Sequence, residues 1–192
     1  MIHRRLLILQ FMSLSGCAVL ASPGAGLAPL PPPVRGAYRL GAGDAVLLRI
    51  YDQPQLSGEF DVDDSGNVDL PLLGLVPAAG KTTDELSNAI ALILRQKNLI
   101  LAPSVAVEIS KFRPFYILGE VNAPGQYPFR PGMTVLTAVS IAGGFTYRAV
   151  QSYVGVTRDV ALDSGTQAVQ YRAENFALVA PGDVITVFER HY

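Results

Sequence analysis

Val105, Val107 and Ile109 alternate with Ala106 and Glu108. A period of two puts successive side chains on opposite faces of a half-buried strand. Ala45–Tyr51, Phe115–Leu118, Val154–Arg158, Ala168–Arg172 and Val184–Phe188 are rich in Val, Ile, Tyr and Phe and predict further strands. Leu86, Ala89, Ile90, Ile93 and Leu94 fall instead at helical spacing, as one apolar stripe. Thr82-Thr83-Asp84-Glu85 stands ahead of that stripe as a capping box, so a helix is predicted over 82–97. A second is predicted from Thr134 to Ala142, burying Val135, Leu136 and Val139 and stopping at Gly143-Gly144. Pro124-Gly125, Pro131-Gly132 and Pro181-Gly182 each fit the central pair of a type II turn. Strands with two interspersed helices predict an α+β fold in two small units divided near residues 110–114.

The N-terminus follows a different pattern. Arg4 and Arg5 precede a mostly apolar run, Leu6–Leu14, which small residues join to Cys17. A basic segment, a short apolar segment and a small-residue zone describe a secretory signal. Leu14-Ser15-Gly16-Cys17 resembles the lipobox of bacterial lipoproteins, in which the cysteine is acylated and begins the mature chain. That resemblance makes residues 1–16 a signal peptide and Cys17 the lipidation site. Ala18 after it, rather than aspartate, implies sorting to the outer membrane. The apolar run is far shorter than the roughly twenty residues that span a bilayer as a helix. Pro23, Pro29, Pro31, Pro32 and Pro33 follow among glycines and alanines, so residues 17–37 read as a semi-extended tether.

Composition narrows the function. The chain has 15 basic and 16 acidic residues, and Arg4 and Arg5 leave with the signal. With no basic run, nucleic acid has no electrostatic footprint to bind. A lone cysteine makes no internal disulfide, and with only His3 and His191 beside it builds no zinc or iron–sulfur site. No cofactor or metal is predicted. Charged residues are 16% of the chain against a usual value of about 25%, which hints at surface buried in an assembly.

Two chemical readings compete with a scaffold. Asp44, Glu120 and Asp183 are candidates for a two-carboxylate polysaccharide hydrolase, but each lies in a turn or strand motif. No serine elbow, phosphate loop or metal-spaced histidine pair accompanies them, so no catalytic residue is assigned. The run from Asp61 to Asp69 places oxygen ligands at calcium-loop positions 1, 3, 5 and 9, with Gly66 at 6. Position 12 is then Leu72 and the flanks read as strands. A hairpin turn around Ser65-Gly66-Asn67 is the reading preferred.

Two segments echo each other. Leu40-Gly41-Ala42-Gly43-Asp44 precedes Val46-Leu47-Leu48, and Ala180-Pro181-Gly182-Asp183 precedes Val184-Ile185-Thr186-Val187. In each, glycine permits a tight turn and aspartate accepts from a nearby backbone N–H as the strand begins. Tyr38, Leu40, Gly41, Gly43 and Asp44, the hairpin from Asp64 into Leu70-Pro71-Leu72-Leu73-Gly74, and the capped helix resemble the first domain of the outer membrane polysaccharide export (OPX) family. Ile117-Leu118-Gly119-Glu120-Val121, Pro124-Gly125-Gln126-Tyr127, Thr134-Val135-Leu136, Ala142-Gly143-Gly144 and Pro181-Gly182-Asp183 resemble its soluble-ligand-binding β-grasp (SLBB) domain. Physically these residues read as scaffold: Gly119 and Gly125 suit turns or close backbone approach, and Tyr127 a half-buried position. None is assigned as polymer-contacting.

The resemblance implies a polysaccharide export domain over 38–111 and an SLBB domain over 112–190. It implies a periplasmic lipoprotein held at the outer membrane, forming a ring of identical copies, an octamer by analogy, that guides exported polysaccharide. The partners implied are an inner membrane polysaccharide co-polymerase and a separate outer membrane pore protein. Only Glu189-Arg190-His191-Tyr192 follow Phe188, so a short member without the C-terminal pore helix is expected. The alternative is a monomeric periplasmic carbohydrate-binding lipoprotein.

Overall fold

The computed structural model describes residues 22–32, 36–162 and 165–190. Cys17 and the predicted signal peptide lie outside the described residues. In chain order the first unit is β1 (Ala45–Ile50), β2 (Gly58–Asp61), β3 (Asn67–Leu70), β4 (Gly74–Pro77), α1 (Thr83–Gln96) and β5 (Val105–Lys111). The second is β6 (Phe115–Gly119), β7 (Gly125–Tyr127), α2 (Val135–Ile141), β8 (Tyr153–Leu162), β9 (Gly165–Glu174) and β10 (Val184–Val187). Among the described residues the fold is mixed α+β, with two α-helices among many strands.

In the first unit β1 is the central strand of an antiparallel sheet ordered β2-β1-β5, and β3 and β4 form a separate hairpin. Thr82 and Glu85 make the reciprocal capping box, Oγ1 accepting from the Glu85 N–H and Oε2 from the Thr82 N–H. Such a cap contributes about 1 kcal/mol. Larger is the stripe Leu86, Ile90 and Leu94, fully buried against Val46, Leu48, Val68 and Val76, where each side chain contributes about 1.5–3 kcal/mol.

In the second unit the sheet order is β7-β6-β10-β8-β9, with β6 and β10 parallel and the other pairs antiparallel. Val135, Ala138 and Val139 of α2 pack on Phe115, Ile117, Val154, Val156 and Ile185. Leu136 departs from expectation: it is 39% exposed, because the i, i+3, i+4 stripe runs through Ala138 and leaves Leu136 on the flank. Gly132 and Gly182 have φ of 80° and 85°, as their turns require. Gly125 is not a left-handed turn residue but the extended first residue of β7, paired with Ile117.

Part of the stretch read as a tether is docked on the second unit. β9 is an edge strand, and an edge leaves backbone groups without strand partners. Those of Arg172 are satisfied by Ala28 O, which accepts at 2.7 Å, and by the Leu30 N–H, which donates at 2.8 Å. Pro29 thereby makes a parallel bridge to Arg172. Tyr153 Oη donates to Pro23 O at 2.8 Å. Gly24 lies so close to Phe188 that a Cβ there would meet the ring at 2.8 Å.

Candidate functional site

The two glycine–aspartate turns meet where the units join. In each, the aspartate carboxylate accepts from the backbone N–H three residues earlier: Gly41 to Asp44 at 2.8 Å, Ala180 to Asp183 at 2.7 Å. Both carboxylates are buried, so each needs further donors. Asp44 takes them from the Tyr38 hydroxyl at 2.7 Å, the Arg113 N–H at 2.7 Å and Arg113 Nη1 at 3.5 Å. Asp183 takes them from one residue, Arg158, with Nε at 2.8 Å and Nη2 at 2.7 Å. That bidentate fork is the geometry in which a guanidinium binds a carboxylate most strongly.

Arg113 links the turns. Beyond its contacts with Asp44, its Nε donates to Pro181 O at 3.1 Å. Next to it in the chain, Pro114 O accepts from the Gly182 N–H at 3.0 Å. A Cβ on Gly182 would sit 2.9 Å from Nε and at an unfavourable φ, so glycine serves both the turn and the approach of Arg113. The Asp183 bond raises the pKa of Arg158 against the opposing effect of burial. Burial, and then the bond to Asp44, hold the Tyr38 hydroxyl above its ordinary value.

Beside this junction lies a cleft of about 760 Å³ lined by Tyr38, Phe112, Phe129, Arg158, Asp159 and Pro181 among others. Tyr38 meets Phe112 edge-on at 5.1 Å, and Phe112 meets Phe129 edge-on at 5.5 Å. The aromatic chain spans both units.

The three carboxylates weighed for hydrolysis are not brought together. Asp44 and Asp183 are held by the donors just described. Glu120 lies at the other end of β6 from Asp183: Tyr116 N–H donates to Asp183 O, whereas Glu120 N–H donates to Val187 O. Its side chain accepts from Thr146 Oγ1. In the Asp61–Asp69 run, Asp63 Oδ1 accepts from the Asn67 N–H at 2.8 Å and Gly66 adopts φ 80°, which makes the run a hairpin turn. Among the described residues no three His, Cys, Asp or Glu side chains converge as a metal site. Gly119 makes the close approach expected of it, since a Cβ there would lie 2.1 Å from Val187 O. Tyr127 is half-buried, stacked on Phe115 and bonded to Ala123 O.

Sequence reasoning located both aspartates and missed Arg113, Arg158, Phe112 and Phe129. A buried aspartate demands a cation, but nothing local indicates which arginine supplies it. No helix among the described residues is long and apolar enough to cross a membrane.

A polysaccharide biosynthesis/export domain matches residues 32–110 and an SLBB domain matches residues 114–170, with Arg113 in the interval. This pair of domains defines the class, and the chain belongs to the outer membrane polysaccharide export family. It is 36% identical over 180 residues to the exopolysaccharide production protein ExoF of Rhizobium meliloti (strain 1021), covering 88% of this chain and 41% of that one. Over 152 residues it is 28% identical to the EPS I polysaccharide export outer membrane protein EpsA of Ralstonia nicotianae, covering 63% of this chain and 38% of EpsA. Over 111 residues it is 29% identical to the polysialic acid transport protein KpsD of Escherichia coli, covering 56% of this chain and 19% of KpsD. The chain thus spans less than half the length of these relatives.

Proposed function

We propose that this protein is a periplasmic component of an exopolysaccharide or capsule export machine, anchored to the outer membrane through lipid on Cys17 and without catalytic chemistry of its own. The observation that carries this reading is the pair of domains in order, in a chain similar to proteins named for polysaccharide production, export and transport. Copies assemble into a ring whose lumen guides the polymer from an inner membrane co-polymerase toward the outer membrane. The first unit leaves Leu72, Leu75, Leu99 and Leu101 exposed, apolar side chains that a neighbouring copy would cover. Linkage of the units through Arg113 suits a subunit that must hold a passage open, and the saturated carboxylates at the junction suit a scaffold. Deleting the gene should abolish secreted polymer while lipid-linked precursor is still made. Loss of precursor as well would refute a role confined to export.

The aromatic cleft favours a second reading, a monomeric periplasmic carbohydrate-binding lipoprotein, in which sugar rings stack on Phe112 or Phe129. Mass measurement in mild detergent separates the two. A ring-sized oligomer supports export, and a stable monomer supports carbohydrate binding.

A further inference from the structure

The strands of the second unit have a polarity. β6 and β10 start at the junction with the first unit, next to Arg113 and Asp183, and run away from it. β8 runs back, bringing Arg158 to Asp183 and leaving Tyr153 at the far end. The five steps from Tyr153 to Arg158 span about 17 Å at the strand rise. β9 ends at Glu174, paired with Tyr153. The far end therefore gathers the segments after β10, after β9 and before β8.

These segments carry an unusual surface. Tyr147 is 80% exposed and Phe176 is 81% exposed. Phe176 follows the end of β9. Tyr147 is tied to the end of β10, because Arg190 Nη2 donates to Tyr147 O and Ala149 bridges Glu189. Arg148, which pairs with Glu189, and Arg190 stand beside it, both exposed. Aromatic rings beside arginines are the chemistry of a membrane–water interface.

The N-terminal segment docks toward this same end, through Pro23 on Tyr153 and Gly24 on Phe188. Pro23 is six residues from Cys17, and residues 17–22 carry no charge. Six residues reach about 20 Å at full extension. A lipid on Cys17 would therefore hold the far end of the second unit, not the first unit, against the bilayer.

We infer that the far end of the second unit, with Tyr147, Phe176, Arg148 and Arg190, is a membrane-facing surface that inserts its aromatic side chains among phospholipid headgroups. The inference rests on the reading that Cys17 is acylated. Docking of residues 23–30 converts a tether into a short leash that fixes which end of the molecule meets the lipid.

The chain has one cysteine, so once it is acylated an introduced thiol is unique. Ser152→Cys places a fluorophore at the far end, ahead of β8. Ala102→Cys places one ahead of β5, at the end of the first unit remote from the junction. The acylated full-length proteins are reconstituted in phosphatidylethanolamine–phosphatidylglycerol vesicles containing headgroup-labelled acceptor lipid. Energy transfer from position 152 should exceed that from position 102 several-fold. The double variant Tyr147→Ser/Phe176→Ser removes only exposed side chains, so it should keep its melting temperature while transfer from position 152 falls. Equal transfer from both positions, or more from 102, overturns the orientation. Unchanged transfer in the double variant, or a change in its oligomer mass instead, assigns the aromatic residues to a protein contact and overturns the lipid surface. Absence of acyl mass on the extracted protein overturns the anchor itself, which separates that failure from a failure of orientation.

Discussion

The two glycine–aspartate turns are nearly the same local structure put to different uses. Each buries its aspartate and satisfies it first with the backbone N–H three residues back. They diverge in the cation. Asp183 is closed by Arg158, a residue of the same sheet, through a bidentate fork. Asp44 is closed by Arg113, which belongs to the segment between the units and also reaches Pro181. One turn completes its own domain and the other is the joint. The difference shows that a motif can specify a buried charge without specifying what neutralises it.

Asp183→Ala tests the closed turn and should have the largest effect. It leaves Arg158 with no carboxylate at a site where the side chain is 18% exposed. Removing one partner of a buried pair costs about 3–5 kcal/mol. Urea denaturation followed by circular dichroism should show the second unit unfolding early, and a loss below 1 kcal/mol, on the scale of a surface ion pair, would mean the pair is effectively solvated.

Asp44→Ala should come next. Arg113 is 30% exposed, so water replaces part of what the carboxylate gave it. The Gly41 N–H and the Tyr38 hydroxyl also lose their acceptor, and the expected cost is about 2–3 kcal/mol. Because Arg113 loses one of its two attachments, the units should also melt with lower cooperativity in calorimetry. A single sharp transition at lower temperature would show that the joint does not depend on this carboxylate.

Arg113→Ala removes the link and leaves both turns their own backbone bond. Asp44 keeps the Gly41 and Tyr38 donors and the residue-113 N–H. Each unit should lose only about 1 kcal/mol, while their unfolding transitions separate. Proteolysis should then cut within 111–114 faster than in the parent. If the transitions stay merged, the aromatic chain Tyr38–Phe112–Phe129 is holding the units together.

How far the sequence reaches is visible in this same region. The capping box of α1 and the aspartate-to-backbone bonds were legible because both partners lie three residues apart. The apolar stripe of α1 was legible because periodicity encodes one face. Arg113 was not, since its contact with Asp44 spans 69 residues, and no short window contains both. The docked N-terminal segment was hidden for a related reason. Proline-rich composition reports that residues 22–32 make no helix, but not that an edge strand about 140 residues on presents a peptide group without a strand partner. β2 and β3 were legible as the flanks of the Ser65-Gly66-Asn67 turn, whereas β4 and β7, four and three residues long, are too short for alternation to stand out from turn composition.

The most local change, Tyr38→Phe, sharpens the comparison most finely, because Asp183 has no counterpart to Tyr38. The variant keeps the ring against Phe112 and removes one hydrogen bond to a buried carboxylate, for an expected loss of about 1.5 kcal/mol. The pH dependence identifies the source. Burial and the Asp44 bond raise the tyrosine pKa in the folded protein above its ordinary 10.0. Below pH 10 the hydroxyl is protonated in both states and its stabilisation is fully present. As pH rises past 10 the unfolded chain ionises while the folded one does not, so the parent loses stability with each further rise. Tyr38→Phe lacks that contribution, and the remaining tyrosines act alike in both proteins. The gap between their urea midpoints should therefore narrow between pH 8 and pH 11. A gap that stays constant across that range would mean the Tyr38 hydroxyl titrates as it does in water, and that Asp44 relies on Arg113 and the backbone alone.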